Sequence, residues 1–257
     1  MSAGPLSGRG IVITRPREHA LVLAERIRAA GGDPVLFPTL EILPPDDPAA
    51  VAKVIARLNS FQLAIFVSPT AAMRGCAMVR ASAGWPEGLR IAAVGAGTAK
   101  ALEQLGRRDV ISPSGEADSE ALAALPELQD LGDRAFVIFR GQGGREWLRA
   151  KLEARGARVE YAECYRRARP DTNAGGLLAR WQRGGIEAVS ITSAEGLENF
   201  SAMLGPTGRE YLCATPVFVP HPRIAAAASE LGVRRILVTG RGDDQTVAEM
   251  SAFFARV

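Results

Sequence analysis

Ile11-Val12-Ile13-Thr14-Arg15-Pro16-Arg17 and Phe136-Val137-Ile138-Phe139-Arg140-Gly141-Gln142 lie 125 residues apart and are built alike. Each is a short apolar run, as a buried strand requires, ending in a polar turn with an arginine. A helical pattern follows each run. In the first copy it spans about residues 18–30, with Leu23, Ile27 and Ala30 on one face. In the second, Trp147, Leu148 and Leu152 are apolar. Gly31 and Gly156, again 125 apart, stop the two helices, and the strands Val35-Leu36-Phe37 and Val159-Glu160-Tyr161 come next.

The match runs on. Ala64-Ile65-Phe66-Val67-Ser68 answers Val189-Ser190-Ile191-Thr192-Ser193 at the same offset. Ile91-Ala92-Ala93-Val94-Gly95 answers Val217-Phe218-Val219-Pro220, Gly106 answers Gly232, and Asp118 answers Asp244, now at an offset of 126. The chain is thus two copies of one pattern, each with about five short strands alternating with helices. Alternation of this kind dictates parallel sheets with helices on both faces. Five strands with short connections predict a flavodoxin-like order, with ligands beyond the carboxyl ends of the strands. The sequence therefore predicts an α/β protein of two flavodoxin-like or Rossmann-like lobes that works in the cleft between them.

Composition sets outer bounds. The chain has 257 residues, 47% hydrophobic and 23% charged, enough apolar material for two modest cores. No apolar run approaches the roughly 18–20 residues of a membrane span, and Met1–Gly8 lacks the charged and apolar regions of a signal peptide. The expectation is a cytoplasmic protein with a short disordered lead-in. Cys76, Cys164 and Cys213 are widely spaced and form no CxxC pair, so they read as buried free thiols rather than a disulfide framework or metal site. The net charge of +3 is scattered among acids, which argues against nucleic acid and suits a small anion. No heptad pattern or other interface signature is present, so a monomer is expected.

The strand ends carry the candidate chemistry. They are Thr14-Arg15, Ser68-Pro69-Thr70, Gly95-Ala96-Gly97-Thr98, Ser112-Pro113-Ser114, Arg140-Gly141-Gln142, Thr192-Ser193, His221-Pro222-Arg223 and Thr239-Gly240-Arg241. Small residues before a helix expose backbone N–H groups that attract anions, and Ser or Thr there also cap the helix with the same groups. The set contains no carboxylate pair, no Ser-His-Asp combination and no metal cluster. Gly95-Ala96-Gly97-Thr98 lacks the full dinucleotide spacing, and no phosphate loop exists. Arg241-Gly242-Asp243 spells an adhesion tripeptide by coincidence. His19 reads as a surface residue and His221 as a bystander at a strand end. Tyr165 follows a strand where the other copy has Leu40. Its phenol could donate a proton near a ligand, or the ring could simply pack between the lobes.

Val12-Ile13-Thr14-Arg15-Pro16, Phe66 to Ala71, Ala93 to Leu102, Cys164-Tyr165-Arg166-Arg167 and Ile191-Thr192-Ser193-Ala194, in this order and spacing, resemble the uroporphyrinogen-III synthase family nearly end to end. The resemblance implies two lobes joined by a two-stranded linker. Lobe one would hold residues 1–38 and 169–257 and lobe two residues 42–165, with crossings at about 38–42 and 165–170. It implies closure of the linear tetrapyrrole hydroxymethylbilane to uroporphyrinogen III, with loss of water and inversion of the last ring, without cofactor or metal. The implied partner is this small polycarboxylate, with no nucleic acid and no membrane. Tyr165 matches the family's tyrosine thought to assist departure of the hydroxyl. Substrate contacts would come from Thr14, Arg15, Ser68, Thr70, Gly95, Gly97, Thr98, Arg140, Gly141, Thr192, Ser193 and Arg223.

Two departures stand out. The family's Gly-x-x-Thr-Ala turn in the last third is Pro220-His221-Pro222-Arg223-Ile224 here, leaving Arg223 as the substitute. Phe139 stands where Thr14 stands in the first copy. A non-catalytic two-lobe binder of an anionic or tetrapyrrole ligand is the alternative, and an unrelated nucleotide-dependent α/β enzyme is weakened by the missing fingerprint.

Overall fold

The computed structural model describes residues 4–82, 84–114, 118–240 and 242–256. The chain divides into two compact units, Met1–Glu41 with Ala168–Val257, and Ile42–Arg167. It begins in lobe one with β1 (Gly10–Ile13), α1 (Arg17–Ala29) and β2 (Asp33–Leu36). It then builds lobe two from β3 (Glu41–Leu43), α2 (Pro48–Ile55), β4 (Leu63–Phe66), α3 (Pro69–Arg80), β5 (Arg90–Ala93), α4 (Ala96–Gln104), α5 (Ser119–Ala123), β6 (Ala135–Gly141), α6 (Trp147–Glu153) and β7 (Arg158–Ala168). Lobe one is completed by α7 (Gly175–Gln182), β8 (Ala188–Ser190), α8 (Ala194–Ala214), β9 (Val217–Val219), α9 (Pro222–Glu230), β10 (Ile236–Val238) and α10 (Asp243–Phe254).

Lobe one's sheet has the order β10-β9-β8-β1-β2, all parallel, which is the flavodoxin-like order. Lobe two's sheet has the order β3-β7-β6-β4-β5, so the two connecting segments are neighbours within it as β3 and β7. The registers carry the duplication. Val12 lies opposite Val35 and Val189, and Val137 lies opposite Glu160 and Ala64. Each of these positions is displaced by 125 from its counterpart. The offset of 126 also persists, since Leu237 faces Phe218 as Ile111 faces Ala92.

Three expectations change: the fifth strand of the first copy, the burial of Cys213 and the disordered lead-in. The fifth strand of the first copy shrinks to one bridge at Ile111, held by Ala93 N–H to Ile111 O (2.8 Å) and Ile111 N–H to Ile91 O (2.9 Å). Asp109 before it takes a left-handed φ of 54° and Pro113 after it has no N–H to donate, which keeps the pairing short. Helix α8 runs 21 residues but breaks where Gly205 takes φ 67° before Pro206. Cys213 is half-buried, unlike the buried Cys76 and Cys164.

The lead-in is ordered over the described residues from Gly4 onward. Leu6 is fully buried with Ile11, Ile13, Leu23 and Ile27, and its N–H donates to Ala30 O (2.9 Å). It occupies space that glycine leaves: a Cβ on Gly32 would stand 3.1 Å from the Leu6 Cβ and 2.9 Å from Ile27. Leu6→Ala should therefore cost about 2–5 kcal/mol, the range for emptying a packed leucine site, measured as a fall in the urea midpoint.

Candidate functional site

The carboxyl ends of β4, β6 and β7 surround a cavity of about 320 Å³ in lobe two, whose wall includes Ser68, Ser119, Arg140, Gly141, Gln142, Gly143, Gly144, Arg145, Tyr161, Tyr165 and Arg167. Of the residues expected from sequence, it gathers Ser68, Arg140, Gly141 and Tyr165. Tyr165 is placed there by a β-bulge. β6 and β7 pair in step up to Arg140 with Glu163, and then Gly141 faces Tyr165, leaving Cys164 as the extra residue. One extra residue breaks the alternation of faces, so Cys164 and Tyr165 are both buried. Tyr165 belongs to lobe two's core, and the reading of it as a loose inter-lobe packing residue does not describe it.

The phenol of Tyr165 lies 3.2 Å from Ser68 Oγ, with either group able to donate. Ser68 is also the N-cap of α3, its Oγ accepting from Ala71 N–H (3.0 Å). Gly141 lies flat against the ring: a Cβ there would come 2.6 Å from Tyr165 Cε2 and 2.7 Å from Cζ. Close approach, and not a positive φ, is what requires this glycine.

Arg140 is 5% exposed. Its Nε donates to Gly141 O (3.1 Å), Nη1 to Glu146 Oε1 (2.9 Å) and Nη2 to Gly143 O. Its guanidinium stacks over the Tyr161 ring at 4.4 Å, and the Tyr161 hydroxyl donates to Glu146 Oε2 (2.7 Å). Partial burial and this bond push the Tyr161 phenol up to about 12, and the same bond, with Arg140, holds the Glu146 carboxyl below its usual range. Arg140 therefore supports the wall through its neighbours. Arg145 is exposed and paired with Glu120 at 2.7 Å.

Elsewhere in lobe two, Thr70 sits half-buried in the first turn of α3. Gly95 is the N-cap of α4, Gly97 is exposed in its first turn, and Thr98 is buried. None of the four lines the cavity. In lobe one, the Thr14 hydroxyl donates to Ser190 O (2.8 Å), Thr39 donates to Thr14 O (3.1 Å), and Asn199 Nδ2 donates to Thr39 O (3.0 Å). Arg15 pairs with Asp243 at 2.7 Å. Ser193 caps α8 through Gly196 N–H (3.0 Å), beside a half-buried Thr192. His221 caps α9, its Nδ1 accepting from the backbone N–H of exposed Arg223 (3.1 Å). His19 is half-buried in the first turn of α1. Arg241 lies outside the described residues, while the other two residues of that tripeptide, Gly242 and Asp243, are the N-cap and first residue of α10.

Sequence reasoning missed Tyr161, Glu146, Gly143, Gly144 and Arg145. The available signal was the run Arg140-Gly141-Gln142-Gly143-Gly144-Arg145, where three glycines between arginines follow a strand. Among the described residues no group of three or more His, Cys, Asp or Glu could hold a metal ion, and no helix is long and apolar enough to cross a membrane.

These features define a two-lobed α/β protein with parallel-dominated sheets and a cavity at the strand carboxyl ends of its second lobe. A family model described as "Uroporphyrinogen-III synthase HemD" matches residues 22–246. The uroporphyrinogen-III synthase of Salmonella typhimurium is 33% identical over 92% of this chain and 97% of its own, and that of Escherichia coli 31% over the same shares. The chain belongs to the uroporphyrinogen-III synthase family. In fold it is similar to a crystal structure of a mutant uroporphyrinogen III synthase from Thermus thermophilus, with a TM-score of 0.66 and 17% identity over 97% of this chain and all of that one. The Helicobacter pylori uroporphyrinogen-III synthetase gives 0.61 and 13% over 95% and 99%.

Two outcomes follow from this geometry. Gly141→Ala should lose about 1–3 kcal/mol by overpacking, read as a lower melting temperature, because the added Cβ would meet the buried Tyr165 ring at 2.6–2.7 Å. Burial raises the Cys76 thiol to about 11 and Cys164 to about 12 from an ordinary 9.0. The folded chain thus holds protons that the unfolded chain releases. Their contribution to stability is complete below pH 9 and is lost as pH climbs toward 11 and 12. At pH 8, iodoacetamide should label Cys213 in the native protein, and Cys76 and Cys164 only after denaturation.

Proposed function

We propose that this chain closes hydroxymethylbilane into uroporphyrinogen III, with Tyr165 assisting loss of the hydroxyl and the strand ends holding the substrate's carboxylates. Membership of the family supports the reaction. The observation that supports the residue is the phenol of Tyr165 at the wall of the lobe-two cavity, bonded to Ser68. Ser68 Oγ already accepts one hydrogen bond from Ala71. When Ser68 donates to the phenol oxygen, the phenol proton is free to point at a leaving hydroxyl.

The chemistry balances without an oxidant or reductant. The pyrrole nitrogen's electron pair expels the hydroxyl, which leaves as water after gaining a proton, and an azafulvene electrophile remains. The last ring attacks through its substituted carbon to give a spiro intermediate. The bond from that carbon to its original bridge then breaks, the bridge carbon becomes the electrophile in turn and bonds to the ring's free α-carbon, and that carbon loses its proton, which leaves the ring inverted. An electron-rich pyrrole does this readily, so the protein's task is to present the substituted carbon to the electrophile and not the free one. Orientation is where the rate comes from.

A substrate of eight carboxylates needs donors more than it needs acids and bases. Arg145 and Arg167 at the cavity, Arg15 and Arg223 at lobe one's strand ends, and the N-terminal turns of α3, α4 and α8, with Thr70, Gly95, Gly97, Thr192 and Ser193, are of the required type. Thr14 and Thr98 are buried at two of these strand ends, Thr14 with its hydroxyl donating to Ser190 O. The proposal calls for no second copy of the chain, because the cavity is built within one lobe, and it takes the enzyme as a cytoplasmic monomer.

The test supplies hydroxymethylbilane and separates the uroporphyrin isomers after oxidation. Isomer III above the spontaneous isomer I background is the expected result. Isomer I alone overturns the enzyme reading and leaves the binder. Tyr165→Phe should fold normally and slow turnover by about 100-fold, and an unchanged rate removes Tyr165 from the mechanism.

A further inference from the structure

We infer that Arg140, Glu146 and Tyr161 form a latch that positions the 141–146 loop, so that the lobe-two cavity is already shaped before substrate arrives. The inference rests on the proposed reaction and adds residues that act on it through the loop.

Three observations converge. The loop is intrinsically loose: Gly143 and Gly144 take φ 72° and 95°, and glycine here loses more freedom on ordering than any other residue. It nevertheless supplies Gly141, Gln142, Gly143, Gly144 and Arg145 to the cavity wall. The three latch residues close a circuit at its base, with Arg140 to Glu146 at 2.9 Å, Glu146 to Tyr161 at 2.7 Å, and Tyr161 under Arg140 at 4.4 Å.

The circuit also has an electrostatic role. Arg140 gathers the carbonyl oxygens of Gly141 and Gly143, the Glu146 carboxylate and, at 3.9 Å, that of Glu163. These are the acceptor groups that would repel a polycarboxylate. Engaging them from inside the lobe offsets part of that charge and leaves the wall's donors to face the ligand. Arg140 does this while nearly buried, so it is a positioning residue and not a substrate contact.

The latch predicts a binding defect. Without it, the loop's ordering entropy falls on the binding step. Glu146→Gln and Tyr161→Phe are the variants of choice, because Glu146 is exposed and Phe keeps the ring under Arg140. Each should raise KM for hydroxymethylbilane about tenfold, with kcat within about twofold. The double variant should be no worse than either single, as members of one circuit behave. Hydrogen exchange at residues 141–146, measured without substrate, should quicken in both, with far-UV circular dichroism unchanged.

Unaltered KM and unaltered exchange in a folded variant overturn the latch, as does a fall confined to kcat or additive losses in the double variant. Wild-type production of isomer III alongside such variants leaves the proposed reaction standing and removes only the latch. If the wild type makes no isomer III, the proposed reaction fails and exchange alone decides the latch.

Discussion

A parallel strand cannot be paired by a hairpin, and the organisation of this chain follows from that constraint. The central strand of lobe one, β1, pairs with β2 of its own repeat on one side and with β8 of the other repeat on the other, Ile11 opposite Ala188. The central strand of lobe two, β6, pairs with β7 and with β4, Phe136 opposite Leu63. Each sheet therefore closes on a β-α-β unit from one copy and the remaining strands of the other. Lobe two draws all its strands from one continuous stretch. Lobe one cannot form its central ladder until residues beyond 167 are present, so its pairing carries the greater loop-closure cost.

Much of this was legible because it is local. The apolar runs, the glycine stops at Gly31 and Gly156, and the serine caps at Ser68 and Ser193 are features a few residues long. Both glycines do take left-handed φ, and both serines accept the expected backbone N–H. The exchange of units between lobes is not written in any window of sequence, and came only from the resemblance. Leu6 was misread because a lone leucine among Gly, Pro and Ser has no period, and its burial is decided by α1 and Gly32.

The site was legible in part for the same reason. A tyrosine after a strand can be seen, but the bulge that sets it against Gly141 is a two-strand property. Arg140 could be recognised as a strand-end arginine, the residue type that grips carboxylates. Its actual partners, two carbonyls within three residues and the Glu146–Tyr161 pair, depend on a loop whose path glycine leaves unspecified. Sequence shows the residue type, and the fold decides that its guanidinium turns to these partners.

Comparison of the two copies shows how a duplicated scaffold acquires a reaction. Arg15 and Arg140 occupy equivalent strand ends, and each pairs with a carboxylate of its own lobe, Asp243 or Glu146. Thr39 and Cys164 are equivalent as well, and each bonds back to a carbonyl at the end of the central strand, Thr14 or Arg140. The next pair diverges, with Leu40 in one copy and Tyr165 in the other, both buried. The scaffold holds the same position in each lobe, and only one lobe places a hydroxyl there. In the proposed reaction the electrophile forms at one end of a linear substrate, so a hydroxyl at this position is needed once. Capped helix starts, by contrast, recur in both copies, at Ser68 and Ser193, and under the proposed reaction a substrate with carboxylates along its length has use for both.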